Sequence, residues 1–224
     1  MINQLSCIEV NPALPPVASV IWLHGLGADG NDFVPIVPEL RLPASMPIRF
    51  VFPNAPSRPV TVNNGYVMPA WFDIVSLNID RTIDRQGIES SVKLLERYIE
   101  KEIELGVPAE KIILAGFSQG AVIALTTGLR YTQKLGGILA LSGYLPFADE
   151  VISAKNSVLN QSTPIFLAHG TEDQVVPFVL GQSVAAFLKQ HHYPVSWHTY
   201  RVPHSVCSEE INDISAWLQK VLFN

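Results

Sequence analysis

The stretch 111-KIILAGFSQGAVIALTTGLR-130 decides the fold. A β-branched apolar run enters Gly116-Phe117-Ser118-Gln119-Gly120, and an apolar run with helical spacing leaves it. Strand, G-x-S-x-G and helix in that order match a nucleophile elbow, in which a serine sits on a strained turn with its hydroxyl lifted clear of the backbone. The glycines have a steric reason: side chains at Gly116 or Gly120 would collide with the neighbouring strand and helix. The helix that begins at Gln119 directs its N-terminal amides toward the serine. By itself the pentapeptide also fits an ordinary tight βα turn with a solvent-facing serine, so the rest of the chain has to decide.

Outward from the elbow, short apolar runs alternate with longer helical patterns. VASVIWLHG, IRFVFPNAP, KIILAGFS, GGILALSGY, TPIFLAHG and VSWHTYRV read as strands. IESSVKLLERYIEKEIELG, QGAVIALTTGLRYTQKL, FVLGQSVAAFLKQHH and SEEINDISAWLQKVLF read as helices. The strands are almost wholly apolar, which fits burial on both faces, and the alternation predicts a mostly parallel central sheet with helices on both faces. LSCIEV looks like an edge strand, and the proline-broken PSRPVTVNNGYVMPAWFDI like a surface excursion. Only LPFADEVISAKNSVLNQS joins the strands at Leu139 and Ile165, too little chain for a cap domain. A single domain over residues 1–224 is expected, with 48% hydrophobic residues sufficient for a sizeable core.

A serine hydroxyl becomes a nucleophile only when an oriented base takes its proton. In this chain order an acid and then a histidine should follow at strand ends. Asp173 stands just past a buried strand in IFLAHGTEDQVVP, and His204 just past the final strand in WHTYRVPHSVCSEEI. Glu172 adjoins Asp173 and only geometry separates the two; Asp149 lies several residues beyond its strand, in a helix start. His169 reads as a structural histidine, His191 and His192 as helix C-terminal residues, and His198 as mid-strand. Acyl transfer also needs donors for the oxyanion. The backbone N–H of Leu26, in the glycine-rich loop WLHGLGADGNDF, and that of Gln119 are the candidates, with His24 bracing the loop.

Other chemistries lack their signatures. No Cys-x-x-Cys or His-Glu-x-x-His set accompanies His204 and Cys207, so no metal and no cofactor are expected. HGLGADG lacks the spacing of a dinucleotide-binding loop. A net charge of −5 without a Lys/Arg cluster argues against nucleic acid and against an anionic membrane as partners. Two cysteines make no disulfide framework, the N-terminus has no signal-peptide pattern, and no apolar run reaches transmembrane length. A cytoplasmic protein without stable membrane insertion is the expectation.

LHGLGADGNDF (23–33), PNAPSRPVTVNNGYVMPAWFDI (53–74), AGFSQGAV (115–122), LSGYLP (141–146), HGTEDQVVP (169–177) and HSVCSEEI (204–211) together resemble the carboxylesterase, phospholipase and acyl-protein thioesterase family of α/β-hydrolases. The resemblance runs from about Val17 onward. It implies an α/β-hydrolase fold without a cap, a triad of Ser118, Asp173 and His204, oxyanion donors at Leu26 and Gln119, and a flap whose Trp71 lies near an acyl-binding groove. Val67, Met68 and Trp71 are the expected substrate-binding residues, and Leu26 and Phe72 suit an acyl chain as well, though the same residues could simply pack the flap onto the core. The family pattern departs at Val202-Pro203, where a glycine would be expected before the histidine. Expected substrates are small-molecule or lipid acyl esters of short to medium chain length, with lysophospholipids and acylated proteins as further classes. A non-catalytic ligand-binding module on the same fold is the contrasting reading. Apolar residues on the flap are compatible with a weak homodimer.

Overall fold

The structure is a computed structural model that describes residues 6–75 and 83–223. Among these residues are nine strands and six α-helices: β1 (Cys7–Val10), β2 (Ala18–Leu23), α1 (Ile36–Glu39), β3 (Ile48–Pro53), β4 (Ser57–Val60), β5 (Tyr66–Pro69), α2 (Arg85–Glu104), β6 (Ile112–Phe117), α3 (Gln119–Arg130), β7 (Gly137–Leu141), α4 (Ala148–Ser153), β8 (Ile165–Gly170), α5 (Phe178–Gln190), β9 (Val195–Tyr200) and α6 (Ser208–Phe223). Seven strands form one sheet in the order β1-β3-β2-β6-β7-β8-β9. β1 is antiparallel to β3 at one edge, and the other pairings are parallel. Leu5, read with the first strand, lies outside the described residues.

Alternate residues of each strand enter opposite layers. Ala18, Val20 and Trp22 of β2, with Ile113 and Ala115 of β6, pack under α1 and α6 against Leu40, Ile214, Trp217 and Leu218. Ile21 and Leu23, with Ile112 and Leu114, face α2 and α3 through Val92, Leu95, Ile99, Val122 and Ile123. β7 and β8 extend that second layer onto α5 through Ile138, Leu167, Val184 and Leu188. Helices on both faces explain why these strands carry no polar alternation.

Three strand residues break the apolar rule inside the core, Ser19, Arg49 and His169, and the first two share a partner. Ser19 of β2 and Arg49 of β3 meet Glu102 of α2: Ser19 Oγ donates to Glu102 Oε2 at 2.6 Å and Arg49 Nε to Oε1 at 3.1 Å. Arg49 also pairs with Glu9 of β1 at 2.8 Å, which fastens the antiparallel edge strand to the rest of the sheet.

The excursion before Ile74 is a separate two-stranded hairpin, β4 against β5, with Val60 opposite Tyr66 and a short turn of helix between them. Asp73 holds that turn, accepting Thr61 N–H at 2.7 Å and Thr61 Oγ1–H at 2.6 Å. The segment between β7 and β8 forms only α4 and a four-residue 3-10 turn, Ser157–Asn160. No cap domain is present there.

Successive strands from β2 run outward in opposite directions, β3 to one side and β6 then β7 to the other. Adjacent connections therefore diverge at the carboxyl ends of β2 and β6, the switch point where open parallel sheets leave a crevice. Leu23 of β2 stands in register with Gly116 of β6, so the two loops that leave the sheet there begin side by side.

Candidate active site

Ser118 follows β6 with φ 55° and ψ −116°, a conformation that L-residues rarely adopt and that costs on the order of 1–3 kcal/mol. Packing enforces it. A Cβ on Gly116 would stand 2.3 Å from the backbone of Gly120, and one on Gly120 would stand 2.3 Å from the carbonyl oxygen of Leu23. Strand, turn and helix therefore touch backbone to backbone, and Ser118 N–H is tied to the Leu141 carbonyl at 2.9 Å.

Asp173 and His204 leave neighbouring strands, β8 and β9, and meet at 2.7 Å, Asp173 Oδ2 to His204 Nδ1. The carboxylate is buried, and its Oδ1 accepts the amides of Val175 and Val176, each at 2.9 Å. Backbone donors thus aim the carboxylate independently of the imidazole. Glu172 is separated by geometry: it points to the surface and accepts from Arg201 Nε at 2.9 Å. The two loops are zipped together by Thr171 N–H to the Tyr200 carbonyl and Glu172 N–H to the Val202 carbonyl. Their close approach depends on Gly170, whose absent Cβ would stand 2.3 Å from the Val202 oxygen and 2.4 Å from that of Pro203. Space for the Val202-Pro203 approach to His204, which has no glycine of its own, is thus provided by the facing loop. The Phe117 ring packs on the His204 imidazole at 4.6 Å and sets the ring beside the elbow.

On the other side of Ser118 lies the loop after β2. A Cβ on Gly25 would come within 3.5 Å of Ser118 Cβ, so the Gly25-Leu26 backbone passes directly by the serine. The amides of Leu26 and Gln119 find no acceptor among the described residues. His24 braces this loop: Ala55 N–H donates to Nε2 at 3.0 Å, which leaves the proton on Nδ1 to donate to the Gly25 carbonyl at 2.7 Å. Burial pushes the His24 pKa down, consistent with a neutral structural imidazole. His169 is likewise buried with its pKa pushed down, and its Nε2 bonds the Val176 carbonyl at 2.8 Å. His191 caps α5 through Nδ1 and the Phe187 carbonyl, and His198 lies in β9 stacked on Phe166.

A cavity of about 220 Å³ opens on Ser118 and is predominantly apolar. Leu26 and Gln119 line it, with Val62 and Asn63 of the hairpin turn, Phe72, Ile74, Tyr144, Val175 and Val176. Of the residues expected to suit an acyl chain, Leu26 and Phe72 line it, whereas Val67, Met68 and Trp71 do not. Val67 is 60% exposed on the outer edge of the hairpin, and Met68 packs near Gly27 and Asn63. Trp71 is buried because its indole N–H donates to the His24 carbonyl at 2.8 Å, which turns the ring inward. Tyr144 and the Val175-Val176 pair carry no sequence signal for this place, because they come from loops whose path across the crevice depends on tertiary packing. Among the described residues no cluster of three or more His, Cys, Asp or Glu side chains forms a metal-binding set, and no helix is long and apolar enough to cross a membrane.

A seven-stranded, mostly parallel sheet with a strained serine at its switch point is the α/β-hydrolase fold. The profile of the phospholipase/carboxylesterase family matches residues 6–222. Acyl-protein thioesterase 1 of Yarrowia lipolytica is 44% identical over 208 residues, which cover 91% of each chain, and that of Candida albicans is 41% identical over 214 residues, covering 92% of each. Among solved structures, Arabidopsis thaliana SOBER1 superposes with a TM-score of 0.84 at 34% identity over 92% of this chain and 99% of its own. Zea mays acyl-protein thioesterase 2 gives 0.84 at 29% identity over 97% and 99%. The chain belongs to the phospholipase/carboxylesterase family and is a hydrolase acting on carboxylic ester or thioester bonds.

Proposed function

We propose that residues 1–224 form one hydrolase domain that cleaves acyl thioesters on proteins, and related acyl esters, through an acyl-enzyme on Ser118. The apolar cavity opening on a strained serine carries this reading: Phe72, Ile74, Val175 and Val176 offer a fatty acyl chain a surface that removes it from water, and Ser118 lines the same cavity. The acyl-protein thioesterases among the relatives support the thioester class. Short-chain esters and lysophospholipids fit the same chemistry, and chain length is a matter of how far the cavity extends.

In the reaction, Ser118 Oγ attacks the acyl carbon as His204 Nε2 takes its proton. The amides of Leu26 and Gln119 receive the developing oxyanion, and Asp173 stabilises the imidazolium through the Nδ1 hydrogen bond. Collapse breaks the C–S or C–O bond, and His204 returns the proton to the leaving thiol or alcohol. Water then enters, loses a proton to His204, attacks the acyl-enzyme and frees the acid with Ser118 restored. A protein that only bound ligand would gain nothing from a strained serine beside an oriented histidine.

The deciding experiment compares release of thiol from an S-palmitoyl peptide with hydrolysis of p-nitrophenyl esters from acetyl to palmitoyl, with Ser118→Ala alongside. Efficient, Ser118-dependent turnover of the thioester is expected. Turnover confined to short oxygen esters would refute the thioester assignment, and wild-type rates in Ser118→Ala would refute the nucleophile.

A further inference from the structure

The two amides that flank Ser118 belong to different loops, one after β2 and one at the start of α3, and one residue joins them. Trp71 N–H donates to Gln119 Oε1 at 3.0 Å, while its indole Nε1–H donates to the His24 carbonyl at 2.8 Å. Gln119 completes the grip by donating Nε2–H to the Phe72 carbonyl at 2.8 Å. His24 is two residues before Leu26, and its own ring fastens the Gly25 carbonyl. A parallel tie, Gly27 N–H to the Pro69 carbonyl at 2.9 Å, closes the far side of the loop on the same segment. Trp71 itself is anchored from behind, with its carbonyl accepting from Ser91 Oγ of α2. All of these groups except Gly27 and Pro69 are buried, so every bond but that one forms in a low-dielectric setting where leaving a partner unmet is costly.

We propose that Trp71 and the Gln119 side chain are positioning residues that set the spacing between the Leu26 and Gln119 amides, and so tune the oxyanion site without touching substrate. Trp71 is a rigid spacer between the two loops, its indole N–H bonded to the first and its backbone N–H to the second. This departs from a wall role for Trp71 and gives the Gln119 side chain a task separate from its amide. Without the spacer the two loops can drift apart by the fraction of an ångström that donor geometry does not tolerate. The inference rests on the serine-hydrolase reading above.

The test uses Trp71→Phe, which keeps a ring and removes the indole donor, and Gln119→Leu, which keeps the amide and removes both side-chain bonds. Each is assayed for kcat and KM on the thioester, and for binding of two inhibitors with the same acyl tail. One is a trifluoromethyl ketone, whose Ser118 adduct places an oxyanion between the amides, and the other is a non-reactive thioether. Both variants are expected to lose about 10- to 100-fold in kcat and in affinity for the ketone, less than the loss of a whole oxyanion donor, with KM and thioether affinity unchanged. Near-UV circular dichroism and thermal melting identify any variant that fails to fold, and the other then decides. Equal weakening of both inhibitors, or no change in either, would overturn the spacer role. Wild-type protein that neither turns over thioester nor forms the ketone adduct would instead fail the serine-hydrolase reading, and this inference with it.

Discussion

His204 donates Nδ1–H to Asp173 Oδ2 at 2.7 Å, while the other oxygen of the same carboxylate is held by the Val175 and Val176 amides at 2.9 Å. The acid is therefore oriented by backbone and the base by the acid. This order leaves the Nε2 lone pair of His204 free on the side of the ring away from Asp173. Replacing Asp173 with Asn would keep the acceptor for the two amides but present an NH₂ to Nδ1, which favours the wrong imidazole tautomer. Asp173→Asn is expected to lower kcat by about four orders of magnitude with a folded protein, read by steady-state kinetics beside circular dichroism.

Ser118 carries backbone strain that the proposed nucleophile role would explain. Ser118→Gly should abolish turnover and raise stability by about 1 kcal/mol, the relieved strain exceeding the extra chain entropy of glycine. Urea denaturation of the variant against wild type measures it; a less stable Ser118→Gly would contradict the strain assignment.

The cavity wall at Val62 comes from the hairpin turn and not from the core. Val62→Trp should fill the outer part of the cavity, cutting kcat/KM for palmitoyl esters by at least about tenfold, the effect of roughly 1.4 kcal/mol of lost transition-state binding, while sparing acetyl esters. The ratio of the two rates is the measurement. An unchanged ratio would place the acyl chain elsewhere.

Burial pushes the Glu210 carboxyl, at the start of α6, up to about 7, against the opposing effect of the Cys207 N–H that donates to it. The folded state thus keeps this proton where the unfolded chain, with an ordinary value of 4.5, has released it. Stability is lost as pH rises from about 4.5 to about 7, by on the order of 3 kcal/mol from this group, and stays lost above that. Glu210→Gln should therefore match wild type below pH 4.5 and exceed it above pH 7. Urea midpoints across this range test the sign, and a constant difference at all pH values would rule the linkage out.

Glu102 is buried between Ser19 and Arg49, far along the sheet from Ser118. Glu102→Ala leaves the Arg49 guanidinium with Glu9 and Asn11 but without its buried partner, and should destabilise the fold by about 3 kcal/mol. The kcat of the folded variant should not change. Chemical denaturation and kinetics on one preparation separate the two effects.

The local order was written in the chain. Apolar runs of strand length, helical periodicity and G-x-S-x-G are short-range signals, and the seven sheet strands and four long helices follow from them. Asp173 and His204 were legible because this fold presents its chemistry at strand ends, and a strand end can be read from sequence. α2 begins at Arg85, three residues before the apolar pattern, because Asp84 caps it by accepting Gly87 N–H.

Contacts between loops were beyond that reach. Whether Glu172 or Asp173 meets the histidine depends on a one-residue difference in direction, fixed by the zipper to Val202 and by space left at Gly170. Trp71 could not be told from a groove residue, since an aromatic near a flap suits either place; its indole bond to His24 turns it inward. Tyr144, Val175 and Val176 reach the cavity from separate connections. Sequence determined which residues carry reactive groups, because that is covalent chemistry and local backbone preference. Only the tertiary structure decided which groups face one another, because a hydrogen bond depends on separations of tenths of an ångström between segments distant in the chain.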